Sequence, residues 1–214
     1  LVAEVRANPA KFADARAIVR RSGFGATRVF ELFRQHYHTT PADLLLRARL
    51  AVAKRQLLDT QATLARISPD AGFEALSAFH ENFRRLNGLT PAAYRELRDA
   101  RSFAIALPEG YLLPYLRRAL GRDSQSATER LEGDTYRAVV QLPSGPALLT
   151  LLLAPDEIKA DVSGGSAIEA HSVVVGLLGL EEDAAGFARL AKRLGLSRLV
   201  HHRTELRIRD RKSV

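Results

Sequence analysis

The apolar positions of the first hundred residues follow helical periods that glycine interrupts twice. Phe12, Ala15, Ile18 and Val19 recur at helical spacing, Gly23 follows, and Val29, Leu32 and Phe33 mark one face of a second helix. Leu64 and Ile67, then Gly72, then Phe79, Phe83 and Leu86 repeat that order. Glycine tolerates positive φ, so each break reads as a tight turn between short helices. Between the copies, Leu46, Leu50, Ala53 and Leu57 form one apolar stripe and predict a linker helix over 41–58, with Thr40 as its cap and Pro41 in its first turn. Thr90-Pro91 opens a closing helix through Tyr94 and Leu97.

The two copies also correspond residue by residue. Gly23-Phe24 recurs as Gly72-Phe73, 49 positions on, while Val29, Phe33, Arg34, Thr40, Pro41 and Ala42 recur as Phe79, Phe83, Arg84, Thr90, Pro91 and Ala92, 50 positions on. Two copies are too few for a solenoid and suit a duplicated helix-turn-helix unit. The linker helix spans ~27 Å at 1.5 Å per residue. A rod of that length suits two helices held about one DNA turn, ~34 Å, apart.

The period changes after 99–102. Strands are predicted over 103–107, 136–142, 147–153 and 158–162, and helices over 111–120, 168–178 and 183–194, with turn residues at 143–146 and 154–156. The expected fold class is an all-α double helix-turn-helix domain, residues 1–99, followed by an α+β domain with an antiparallel sheet, residues 103–208, and a basic tail, 209–214.

Charge sharpens this division. Residues 1–100 hold 16 Lys and Arg against 10 Asp and Glu, whereas 101–214 hold 16 against 14. With a sequence pI near 10.3, the first half is the better match for a polyanion, although an inert basic surface reads the same way. The absence of cysteine excludes disulfides, thiolate metal sites, cysteine nucleophiles and cysteine methyl acceptors within these residues. No apolar run approaches the ~18 residues of a membrane span, and no signal peptide opens the chain, so a cytoplasmic location is expected. The first residue is not methionine, and the chain is expected to begin inside a longer reading frame.

Removing the core positions from each second helix leaves two candidate reading faces: Thr27, Arg28, Phe30, Glu31 and Arg34 in copy one, and Ser77, His80, Glu81, Arg84 and Arg85 in copy two. Glutamate accepts from the cytosine amino group, an aromatic ring packs on a thymine methyl, and arginine meets guanine or phosphate. Plainer roles stay open. Glu31 or Glu81 reads equally as a solvated charge paired with a nearby arginine, Phe30 as a core residue, and His80 as simply exposed. Arg34 and Arg84 read as phosphate contacts. His36 and His38 are too close for a helical metal pair, and His201-His202 lie in a basic stretch, so neither a metal nor a cofactor is expected.

The segments ARAIVRRSGFGATRVFELFRQHY, TPADLLLRARLAVAKRQLLDT and AGFEALSAFHENFRRLNGLTPAAYR resemble the AraC/XylS-type DNA-binding domain, a resemblance covering residues 2–97. It implies two helix-turn-helix units in adjacent major grooves. Pro69 departs from that pattern, where an aliphatic residue is usual, and predicts a short or kinked first helix in copy two. Residues 103–208, through FAIALPEGY, TERLEGDTYRAVVQL, HSVVVGLLGLEEDAAGFARLA and ELRI, resemble the small N-terminal domain of AlkA-type 3-methyladenine DNA glycosylases. Some relatives of the Ada regulator join these two parts. The glycine-rich hairpin and aspartate segment of the catalytic domain are not among these residues, so no enzyme activity is expected.

Together these resemblances imply a sequence-specific transcription regulator of AraC/Ada type, associated with the DNA-alkylation response. Its expected partners are double-stranded DNA and, second, RNA polymerase, with no membrane. The alternative is a non-catalytic portion of a DNA-repair glycosylase. Residues 103–214 serve in either case as a ligand- or protein-binding domain, or as a scaffold. Their arginines at 203, 207, 209 and 211, with Lys212, are candidates for phosphate contact.

Overall fold

The computed structural model describes residues 1–181 and 184–196. By internal contacts the chain falls into two units, Leu1–Phe83 and Arg84–Val214.

The first unit is built of helices: α1 (Val2–Ala7), a 3-10 turn (Pro9–Lys11), α2 (Ala15–Ser22), α3 (Ala26–Tyr37), α4 (Pro41–Asp59), α5 (Leu64–Asp70) and the larger part of α6 (Leu76–Asn87). Starts and stops follow local chemistry. The Asp14 carboxylate accepts from the Ala17 N–H at 2.8 Å and caps α2, which Gly23 ends at φ 74°. Thr40 caps α4 by accepting from the Asp43 N–H at 3.1 Å. α4 is the centre of the unit, packed by α1, α2, α3 and α5. Val5, Phe12, Ile18, Val29, Phe33, Leu44, Leu45 and Ala48 form one buried cluster.

Three expectations change here. Phe12 precedes α2 in extended backbone, so its place in the apolar period is not a helical one. Leu46 is half-buried, while Leu44, Leu45 and Ala48 are buried beside Leu50, Ala53 and Leu57. With neighbours on several sides, α4 buries an arc wider than one stripe. The segment α1 was not foreseen. As for Pro69, α5 runs through it to Asp70 and has seven residues against eight in α2. The proline stands one residue from the helix end, where a missing donor forfeits a single ladder bond.

The second unit takes the last turn of α6, then α7 (Pro91–Glu96), β1 (Ser102–Ala106), α8 (Leu113–Leu120), β2 (Glu129–Glu132), β3 (Thr135–Leu142), β4 (Gly145–Leu153), β5 (Glu157–Ser163), α9 (Ala167–Leu177) and α10 (Ala184–Arg193). The five strands make one sheet in the order β1-β5-β4-β3-β2, antiparallel throughout. One face is apolar and buries Ile105, Tyr136, Leu149, Leu151 and Ile158 with Leu116 and Leu120 of α8 and Val174 and Val175 of α9. On the other face Arg137, Val139, Leu148, Leu152 and Lys159 are exposed, the alternation of a sheet with one wetted side.

The helical repeat and the antiparallel α+β unit are thus both present. β2 is a strand that periodicity did not show, since Glu129-Arg130-Leu131-Glu132 is mostly charged. It is an edge strand, where charge is common, and it meets β3 through a two-residue turn with Gly133 at φ 58°. The expected basic tail, the ELRI segment and the start of the last predicted helix, residue 183, lie outside the described residues.

Candidate nucleic-acid interface

In α3, Val29 and Phe33 are buried at 2% and 4% exposure and fix which side faces out. Thr27, Phe30, Glu31 and Arg34 then lie at i, i+3, i+4 and i+7, one stripe along the helix, with Arg28 beside it; all five are exposed. In α6 the fully buried Phe79 and Phe83 play the same part. Ser77, Glu81, Arg84 and Arg85 are exposed, and His80 is half-buried, its ring edge-on to that of Phe79 with the centroids 5.7 Å apart. Each helix therefore brings its own five predicted residues to a solvent-facing side.

The details separate the open roles. Phe30 is 39% exposed and does not complete a core. Glu31 pairs with Arg28 one turn earlier at 3.6 Å, with both side chains 60% exposed. Such a surface pair is worth ~0–1 kcal/mol, so either partner is readily given up to another. Glu81 is in none of the ion pairs described. Arg34 with His36, and Arg84 with Arg85, stand in the last turns, where cations complement the helix dipole.

The turns that precede these helices are not equivalent. A side chain at Gly23 meets only open space, and Phe24 is 60% exposed. At Gly72, φ 95°, a Cβ would stand 2.9 Å from Ala10 Cα and 3.0 Å from Arg49 Nε, and Phe73 is 6% exposed. The residue that closes this second turn is Arg49 of α4. Its guanidinium donates to the carbonyls of Phe12 and Ala13 at 2.7 and 2.9 Å and lies over the Phe73 ring, 5.8 Å from its centroid. Burial lowers its pKa, against the opposing pull of Glu74 and Asp14. Arg49 thereby ties the segment before α2 to the turn before α6. Sequence reading missed it, although an arginine at an otherwise buried step of α4 is a usable signal.

Charge-assisted hydrogen bonds contribute ~1.5–3 kcal/mol each. Arg49→Met is therefore expected to lower the unfolding free energy by ~2 kcal/mol, while Arg55→Met on the exposed side of α4 changes it by less than ~0.5 kcal/mol. Denaturant titration of the two variants checks this.

The helix ends differ too. His38 closes α3 in the left-handed region at φ 49°, and Gly88, its equivalent 50 positions on, holds φ 65° after α6. His36 and His38 are exposed, and no group of three or more possible ligands that could hold a metal ion occurs among the described residues. No helix among them is long and apolar enough to cross a membrane.

The part of the chain that holds this geometry is similar to parts of known proteins. Residues 18–97, a stretch that includes both candidate faces, match the family described as "Helix-turn-helix domain". The similar curated proteins are transcriptional regulators. The protein "HTH-type transcriptional regulator ExsA" of Pseudomonas aeruginosa is 32% identical over 80 residues, 37% of this chain and 29% of its own length. "Transcriptional activator NphR" of a Rhodococcus species is 38% identical over 79 residues, 37% and 23%. "Probable transcriptional regulator LumQ" of Photobacterium leiognathi is 33% identical over 69 residues, 32% and 28%. The chain spans less than a third of the length of each. Among solved structures, the C-terminal domain of the two-component response regulator yesN from Fusobacterium nucleatum is similar at 23% identity and TM-score 0.38, over 43% of this chain and 95% of that one.

Proposed function

We propose that the chain is a sequence-specific transcription regulator of AraC/Ada type whose α3 and α6 read duplex DNA. The observation that carries this reading is the pairwise match of two exposed helix faces across the repeat: Thr27 with Ser77, Phe30 with His80, Glu31 with Glu81, and Arg34 with Arg84. α4, 19 residues long, is the rod that spaces them, at ~28 Å. Ser77, Thr27 and the arginines contact phosphate or base, Glu31 and Glu81 accept from cytosine, and Phe30 packs on thymine. The transcriptional role of the similar proteins supports this, as does the net positive charge of the first hundred residues. The work is cytoplasmic, and RNA polymerase is the protein partner of such a regulator.

The link to the alkylation response rests on the resemblance of residues 103–208 to a glycosylase N-terminal domain, with whose α+β character the antiparallel sheet agrees. The domain division of the proposal remains 1–99, 103–208 and 209–214. These 214 residues do not themselves excise bases.

The test is binding to a bank of duplexes across a salt series. The expected result is a falling log K with log salt and a specific-to-nonspecific ratio of ~10³ or more. Binding indifferent to sequence overturns the reading. Glu81→Ala is expected to change base preference at one position, whereas Arg34→Ala weakens all duplexes alike and reduces the salt slope by about one. An unchanged preference profile in the Glu81 variant refutes the assigned face of α6.

A further inference from the structure

The end of α6 is held in a way the end of α3 is not. The last four carbonyls of a helix lack intrahelical donors and are ordinarily left to water or a cap. At Asn87, 1% exposed, the backbone carbonyl instead lies 2.8 Å from Nε2 of His171, a fully buried residue of α9. A carbonyl oxygen only accepts, so Nε2 carries the proton and donates. The ring is fixed on its sides by Tyr94, 5.3 Å away, and Phe103, 5.5 Å away, both edge-on. The next carbonyl, of Gly88, accepts from the outward N–H of Ala106 at the edge of β1, at 3.1 Å, and the Gly88 N–H closes on the Arg84 carbonyl at 2.8 Å. In copy one the equivalent of Asn87 is Tyr37, 48% exposed.

We infer that His171 is a positioning residue for DNA reading: through the Asn87 carbonyl it fixes the last turn of α6, and with it the direction in which Arg84 and Arg85 leave the helix. This rests on the reading of α6 as a DNA-reading helix. It gives the α+β unit a task in recognition without a ligand of its own. The hydrogen bond, more than the ring's bulk, carries the effect, because Arg84 and Arg85 are set by the orientation of the turn's backbone.

Two variants of the full chain separate donor from bulk. His171→Phe keeps an aromatic ring between Tyr94 and Phe103 and removes the donor. His171→Gln removes the ring and places an amide N–H near the position of Nε2. The probe is a duplex selected from a random pool by the wild-type protein, followed by hydroxyl-radical footprinting and a salt series. For His171→Phe the expected result is about 10-fold weaker binding, loss of protection confined to the half-site read by α6, and a salt slope smaller by one to two phosphate contacts. His171→Gln is expected to retain the wild-type footprint and slope.

The opposite order, with phenylalanine tolerated and glutamine damaging, shows packing alone and overturns the proposal, as does an unchanged footprint in a folded His171→Phe. Should the phenylalanine variant not fold, the glutamine variant decides: a native fold with the α6 half-site lost overturns it, and one with the half-site kept supports it. If the wild-type protein selects no duplex, the reading of α6 is what fails. His171 is then judged by amide exchange of the last turn of α6, expected about 10-fold faster in His171→Phe than in wild type, with equal rates overturning it.

Discussion

Gly88→Ala is expected to destabilise the protein by ~2–4 kcal/mol, whereas His38→Gly at the equivalent position of copy one is expected to stabilise it by up to ~1 kcal/mol. Both residues close a helix in the left-handed region, where a side chain costs ~1–2 kcal/mol. His38 bears that cost at the surface, and histidine is among the residues that tolerate it best. At Gly88 a second cost is added. A Cβ there would stand 2.3 Å from Cγ2 of Ile105 and 3.2 Å from Cδ1 of Leu180, and Ile105 is fully buried in β1. Displacing a packed side chain of that kind costs ~1–3 kcal/mol. Thermal unfolding of the two single variants, and of both together, checks the signs. A Gly88→Ala protein as stable as wild type is incompatible with the contact described.

Phe83→Ala carries the largest expected loss from a single side chain, ~3–5 kcal/mol. Phe83 is fully buried, and its ring stands edge-on to Phe79 at 5.7 Å, while Phe79 in turn meets Phe73 at 5.3 Å. Removing Phe83 leaves a cavity between rings that are held by the closed Gly72 turn and cannot readily collapse into it. The orientation of α6 depends on the same cluster, so sequence preference at the α6 half-site is expected to blur along with the loss of stability. Urea titration measures the first effect and footprinting at permissive temperature the second. A change below ~1 kcal/mol is incompatible with a filled, rigid site.

The distribution of what was legible follows the range of the interactions involved. Turn glycines, the cap at Thr40, the buried phenylalanines and the alternation of β3 to β5 are encoded within a few residues, and the expected elements match those observed to within a residue or two at most ends. The exposed sides of α3 and α6 were legible for the same reason, because a helix whose core positions are known has its outer positions known too. Phe12 was misread because it reaches the core from extended backbone ahead of α2, and Leu46 and the breadth of the α4 contact because burial there is set by elements distant in the chain. β2 escaped because an edge strand needs no apolar alternation. Arg49 and His171 escaped because each acts on backbone carbonyls, which leave no trace in residue type. Their only signal was a polar side chain in a helix otherwise buried at that step, as His171 stands between Ala170 and Val174.

The bond from His171 to Asn87 also has a consequence for synthesis on the ribosome. The contacts that complete α3 lie among residues 5–48, whereas the carbonyl at the end of α6 waits for a partner 84 positions later. At ~5–20 residues per second, that interval is about 4–17 s. Over it the nascent chain carries a finished α3 and an α6 whose last turn still lacks this partner. The two halves of the repeat, alike in sequence, thus mature at different times.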